Sequence, residues 1–152
     1  MSDTDARTEV ITLRLPSSLE LLAILDRVAL AICERMEFDD DATSQVSMAV
    51  IEAGTNAVQH GHRRDAGKTF EVRFELRPDR LEVTVRDHGP GFDLSRVVPD
   101  VTTPDHLLDA RGRGIFIMRS CCDAVDFVFG ADGTRCHLVK LRSQSAPRAA
   151  DA

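Results

Sequence analysis

The sequence predicts an α+β fold, a two-layer sandwich in which one mostly antiparallel sheet carries helices on one face. Two observations lead there. Period-two hydropathy comes as paired segments joined by turn residues, at 70–85 and again at 125–140, which is the mark of hairpins. Apolar residues also recur at helical spacing in two stretches before the first hairpin, and an apolar run, Ile115 to Met118, lies between the hairpins. A sheet with one apolar face needs a cover, and these helices supply it.

The elements follow in order. Residues 1–8 form a polar lead-in. Val10, Thr12 and Arg14 alternate with Ile11, Leu13 and Leu15, a short strand stopped by Pro16. Ser17 and Glu20 have the spacing of a capping box, and Leu21, Ile24, Leu25, Val28, Ala29 and Ile32 then trace one face of a helix. Asp39, Asp40 and Asp41 offer a cap and favourable charge to a second helix, which runs through Val46, Ala49, Val50, Ala53 and Ala57. Gly61 suits the position just past its end.

A polar loop, His62 to Lys68, leads to the first hairpin. Phe70, Val72, Phe74 and Leu76 alternate with charged residues, Pro78-Asp79 turns the chain, and Leu81, Val83 and Val85 return. Phe92 to Arg111 is a long irregular stretch, a length that in compact domains marks functional or disordered segments. An apolar helix is expected after Gly114. The last hairpin takes Val125, Phe127 and Phe129 through an Asp132-Gly133 turn to Cys136, Leu138 and Lys140. The tail from Ser143 is rich in Ala, Ser and Arg.

At 152 residues, 43% hydrophobic and 29% charged, the chain is sized for one domain, residues 1–142, with 143–152 as a disordered tail. A domain of this length buries roughly 70% of its unfolded surface and needs no staple. The net charge is −6, and 19 basic residues are dispersed among 25 acidic ones. Direct nucleic-acid binding wants a concentrated basic face and is not expected. No apolar run approaches the ~20 residues of a membrane span, so no membrane partner and a cytoplasmic location are expected. Cys33, Cys121, Cys122 and Cys136 lack metal-type spacing; they read as small core residues, with redox sensing by Cys121-Cys122 as the other reading.

Three segments carry chemistry. In Glu52-Ala-Gly-Thr-Asn56-Ala-Val-Gln-His60-Gly61, Glu52 and Asn56 are four apart and share a helix face, with His60 continuing the row. A carboxylate and an amide oxygen so placed can orient a nucleophile and ligate Mg²⁺, which prefers hard oxygen donors; a solvated polar stripe is the plainer reading. In Asp87-His-Gly89-Pro-Gly91-Phe-Asp93, Asp87 keeps the parity of Leu81, Val83 and Val85 and so points to the core side. A buried carboxylate needs hydrogen-bond donors. An adenine amino group would serve, with Gly89 and Gly91 giving the backbone close approach; a Gly-Pro-Gly turn capped by Asp87 is the alternative. In Arg111-Gly112-Arg113-Gly114-Ile115, two glycines entering a helix offer an anion site at its N-terminus, or simply a flexible entry. Arg111 and Arg113 could meet phosphates.

The order and spacing of these segments, ExxxNAxxHG, a hairpin, DxGPGFD, an acidic loop and GxGIFIM, resemble the N, G1 and G2 boxes of GHKL ATPases. The resemblance covers roughly Val10 to Leu141 and is greatest to bacterial anti-sigma factor serine/threonine kinases. It implies the histidine-kinase-like ATPase fold, with ATP and Mg²⁺ as cofactors. Glu52 would then be the catalytic base, or a polarising carboxylate, for an attacking serine hydroxyl, and Asn56 the Mg²⁺ ligand. Asp87, Gly89 and Gly91 would form the adenine pocket. Gly112 and Gly114, flanked by Arg111 and Arg113, would present amides to the phosphates beneath a lid at Phe92 to Arg111. The partners implied are a STAS-type anti-anti-sigma protein, which is phosphorylated, and a sigma factor, which is bound, by a homodimer. The alternatives are a non-catalytic nucleotide-binding module that sequesters a partner, and a stress-pathway switch kinase using the same pocket. A free-standing histidine-kinase domain is disfavoured, because the helix over Leu19 to Met36 contains no His.

Overall fold

The computed structural model describes residues 7–61, 67–89 and 110–143. Expectations for the chain ends, the 62–66 loop, Gly91 and the lid lie outside these residues, except that Ala110 and Arg111 belong to a helix.

Among the described residues, five strands form one antiparallel sheet in the spatial order β1-β2-β3-β5-β4: β1 Glu9–Pro16, β2 Thr69–Leu76, β3 Arg80–Asp87, β4 Ala124–Gly130 and β5 Gly133–Leu141. The last hairpin therefore folds back, so that β5 pairs with β3 and β4 becomes an edge. Alternation sets which face is covered. Phe70, Val72, Phe74 and Leu76 on β2 and Leu81, Val83 and Val85 on β3 are all buried, while their polar neighbours lie on the outer face.

Among the described residues, three helices cover the apolar face: α1 Leu22–Arg35, α2 Asp40–Asn56 and α3 Ala110–Cys121. Leu25, Val50, Val58, Ile115 and Met118 lie fully buried among them with Phe70, Phe74 and Leu138 from the sheet. The α+β sandwich expected from the sequence is thus the observed fold. Helix α2 lies close to α1 because Gly54 has no side chain: a β-carbon there would come within 2.8 Å of Leu22 Cδ2 and 3.0 Å of Leu25 Cδ2.

The element ends show where tertiary structure overrides local signals. Asp39 caps α2 as expected, its Oδ1 accepting from the Ala42 amide at 2.7 Å. The capping box does not form. Ser17 is buried where β1 ends, its amide donating to the Lys68 carbonyl at 2.8 Å. The chain instead makes a 3₁₀ turn, Leu19–Leu21, before α1, and Ser18 at its start makes no side-chain cap. Helix α1 closes on Glu37 at φ 58, with the Phe38 amide bonded to the Cys33 carbonyl and the Glu37 amide to that of Glu34; this is the Schellman arrangement with Glu where Gly is usual.

Three further boundaries differ from expectation. Helix α2 runs into a wide π turn, Ala57–Gly61, which Gly61 closes. Helix α3 begins at Ala110, so Gly112 and Gly114 lie inside its first turns rather than ahead of it. The last turn is Ala131-Asp132, and Gly133 is already the first residue of β5, paired with Gly130.

All four cysteines are free thiols, and Cys33, Cys121 and Cys136 are buried. Burial pushes the Cys33 thiol up to about 11 and that of half-buried Cys122 to about 12. These are protonated groups at neutral pH, and the core reading holds.

Candidate functional site

The site lies where α2, its π turn, the exit of β3 and the start of α3 meet on the helical side of the sheet. Glu52 and Asn56 both fall within α2, so the four-residue spacing does place them on one face. The regular helix ends at Asn56 and π geometry takes over through Gly61. Wide turns of this kind are frequent at functional sites, where they re-aim the following residues.

The first and third segments touch. Helix α3 packs against α2, and Gly114 is at the crossing. A β-carbon on Gly114 would lie 2.8 Å from Glu52 Oε2 and 3.7 Å from Asn56 Oδ1. The absence of a side chain therefore gives Glu52 its room, a reason for glycine that concerns space rather than backbone conformation. Half-buried Glu52 is pushed above the usual carboxylate range by burial, against the opposing effect of the Arg113 charge. Nδ2 of Asn56 is buried with no hydrogen-bond partner. Such orphaned groups are rare in folded proteins and call for a partner.

The second segment joins from the sheet. Asp87 ends β3 on the core side and is 8% exposed, as its parity predicts. Its Oδ1 accepts the Gly89 amide at 2.8 Å. The local-turn and ligand readings of this carboxylate are thus compatible, because one oxygen organises the turn and Oδ2 remains for a second donor. Gly89 is buried here. The π turn of α2, which follows Asn56, packs against β3, the strand that Asp87 ends.

Two residues of this region were missed in the sequence. Thr134, in register with Asp87 on β5, is 5% exposed, and its Oγ1 has no partner. Gly133, at φ +135, sits so close to the β3 exit that a β-carbon would overlap the Asp87 carbonyl. The Asp132 carbonyl also meets His88 Nδ1 at 3.2 Å. Thr134 shares the parity of Cys136 and Leu138, so its inward direction was readable; that β5 would lie beside β3 was not.

Of the remaining candidates, Gly112 is buried in the first turn of α3, Arg113 is exposed beside the site, and Arg111 contributes backbone to the helix. Gly91 lies outside the described residues.

Comparison with known proteins matches this frame. The profile of the histidine kinase-like ATPase domain matches residues 15–140. The chain is 33% identical over 122 residues to the serine-protein kinase RsbW of Bacillus subtilis (strain 168), covering 77% of this chain and 76% of that one. The chain belongs to the histidine kinase-like ATPase family, in its RsbW serine-protein kinase branch. The RsbW of Bacillus cereus (strain Q1) is 32% identical over 127 residues, 80% of this chain and 79% of the relative. Among solved structures, that of the RsbU and RsbW domains of Rv1364c from Mycobacterium tuberculosis superposes with TM-score 0.64 at 18% identity. It covers 88% of this chain and 33% of that one. The histidine kinase domain of the blue-light activated histidine kinase EL346 from Erythrobacter litoralis gives 0.53 at 23% identity, covering 82% and 62%. At these identities the two structures speak to the fold alone. No helix among the described residues is long and apolar enough to cross a membrane.

Proposed function

We propose that this chain is a Mg·ATP-dependent serine/threonine-protein kinase that acts as an anti-sigma factor in the cytoplasm. One domain, residues 1–142, would carry the activity, working as a homodimer. It would phosphorylate a STAS-type anti-anti-sigma protein and bind a sigma factor, in line with its RsbW relatives, which are serine-protein kinases. The observation that carries the reading is the Glu52–Gly114 contact. It brings the helix pair of the first segment and the glycine helix of the third to one point, beside an amide group that lacks a partner.

The residues fit the group. Asn56 offers a carboxamide at the bottom of the site, and its oxygen is a hard donor suited to Mg²⁺, which keeps most of its waters and takes few protein ligands. Mg²⁺ bound there would neutralise phosphate charge, the main requirement of phosphoryl transfer. Asp87 would accept the adenine amino group on the oxygen that Gly89 leaves available, and Thr134 would complete the same recognition through its unpartnered hydroxyl. Gly89 and Gly91 would let the ligand approach the backbone closely. Gly112 and Gly114, with Arg111 and Arg113, would attend the phosphates at the start of α3. Glu52, held by burial as a stronger base than an ordinary carboxylate, would take the proton of the attacking serine hydroxyl.

Calorimetric titration with ADP and ATP, with and without Mg²⁺, tests this directly. Wild type should bind, and Asn56→Ala should lose the Mg²⁺ dependence while keeping adenine recognition. Folded wild type that ignores nucleotide at millimolar concentration would sink the kinase reading. Transfer of labelled phosphate to a STAS-type protein then tests the substrate class, and sedimentation the homodimer.

A further inference from the structure

The outer face of the sheet, opposite the nucleotide site, carries its own unbalanced charge. Arg86 on β3 and Arg135 on β5 stand directly opposite each other in the ladder. Like charges in that relation repel across a strand pair. Among the described residues, neither guanidinium has a hydrogen-bond or ion-pair partner. Glu71 lies opposite Arg86 on β2 but is engaged by Arg14 at 3.5 Å. Further along the same strands Glu82 pairs with Arg77, with Arg80 at 3.4 Å and with His137 at 3.0 Å. The two unpaired arginines stand apart from that cluster, in a chain whose net charge is −6.

The same two arginines line a hollow of about 140 Å³ closed by the Gly130–Gly133 turn, with Asp132 its one carboxylate among the described residues. Val128, next to Arg135 in register on the edge strand β4, lines it too and is 59% exposed. Two unpaired cations held side by side, next to an uncovered aliphatic side chain, form a surface with a defined complement. A free inorganic anion would neutralise the arginines and leave Val128 in water.

We infer that this patch docks an acidic peptide segment of a protein partner, two of its carboxylates on Arg86 and Arg135 and an apolar side chain on Val128. The surface is separate from the nucleotide pocket, since Arg86 and Asp87 point to opposite faces of β3. Docking on one face thus adjoins the strand end whose other face carries Asp87.

The whole chain, ¹⁵N-labelled, would be titrated with capped hexaglutamate, with hexalysine and with inorganic phosphate at matched ionic strength. Hexaglutamate should shift the amides of Arg86 and of Val128 to Arg135, and hexalysine should not. Arg135→Glu should weaken hexaglutamate at least tenfold, leave ADP affinity within twofold, and raise the melting temperature, because a cation then faces an anion across β3 and β5. Arg135→Gln, which only removes charge, gives the same loss of binding if the Glu variant fails to fold. The inference is overturned if hexaglutamate shifts map elsewhere or are absent, if phosphate alone reproduces them, if Arg135→Glu retains binding, or if both variants lower the melting temperature.

Discussion

Glu52 and Glu82 are both half-buried glutamates, on opposite faces of the structure, and their surroundings push them in opposite directions. On the outer face, burial would raise Glu82, but hydrogen bonds from His137 and Arg77 and the charges of Arg77 and Arg80 outweigh it, so its carboxyl sits below the usual range. His137 is itself steadied by Thr84 at 3.0 Å. On the helical face, burial raises Glu52 and, among the described residues, the Arg113 charge alone opposes it. Around Glu52 and Asp87, moreover, Asn56 Nδ2 and Thr134 Oγ1 are buried without partners. Glu82 is enclosed by cations that favour its charged form, with its Oε2 and Arg77 Nε still short of a well-aligned hydrogen bond, whereas little offsets the burial of Glu52. The direction in which each carboxyl is pushed, rather than polarity or unmet hydrogen bonds, distinguishes the two clusters.

The largest expected break in this contrast is Glu52→Gln. Phosphotransfer should fall about 10²- to 10⁴-fold, the usual worth of a positioned base, while nucleotide affinity is kept. A carboxyl raised in the fold holds its proton better there than in the unfolded chain. Its contribution to stability is thus present at low pH and is lost as pH rises from about 4.5 through the folded value. At neutral pH the variant should therefore melt no lower than wild type, and the acid limb of the wild-type rate profile should lie above 4.5. A rate profile with no such limb, or a variant with full activity, removes Glu52 from the chemistry.

Gly114→Ala tests whether that carboxylate needs its space. Alanine favours a helix interior over glycine by about 1 kcal/mol, yet its β-carbon would press on Glu52 Oε2 at 2.8 Å. Displacement of the base by about 1 Å should cost on the order of 10²-fold in phosphotransfer. Thermal melting and rate assays together decide it, since a purely structural glycine would show no loss of rate.

Asp87→Asn should weaken ADP by roughly 10- to 100-fold, as expected for a charge-assisted hydrogen bond. The amide oxygen can still accept from Gly89, so the fold should survive. Thr134→Val should cost about two- to tenfold in the same titration without loss of stability, because the hydroxyl it deletes has no partner in the folded chain. If both variants bind ADP as wild type does, the adenine end lies elsewhere.

The smallest effect belongs to the other cluster. Glu82→Gln should reduce stability by less than about 1 kcal/mol, as for an ion pair at the surface. With its carboxyl lowered in the fold, Glu82 contributes above about 4.5, and the contribution fades as pH falls through the folded value. Denaturant melts at pH 7 and pH 3 should differ less for the variant than for wild type, with phosphotransfer unchanged.

What was legible in the sequence follows the reach of each signal. The inward direction of Asp87 came from strand parity, and the shared face of Glu52 and Asn56 from helical spacing; both are local and both hold. The π turn after Asn56 has no signature in residue types, so the end of the regular helix at Asn56 was not readable. The capping box failed because Ser17 is taken by the strand junction with Lys68. The start of α3 was placed too late because two glycines suggested an entry, when Gly114 is required by a neighbouring side chain across the helix pair. Thr134 was missed because its importance comes only from lying beside Asp87, a pairing between distant segments that no window contains.

Gly133 carries a consequence for how variation in this chain would be interpreted. It reaches no ligand in the proposed scheme, yet any β-carbon there collides with the Asp87 carbonyl, and its backbone angle disfavours every other residue. A saturation scan scored on growth would therefore rank position 133 with the reactive residues. Its intolerance is mechanical: the tip of one hairpin is fitted against the end of its neighbour like a key against a ward. Sites that score alike can thus fail for unrelated reasons, and only the pairing of a binding assay with a folding assay tells them apart.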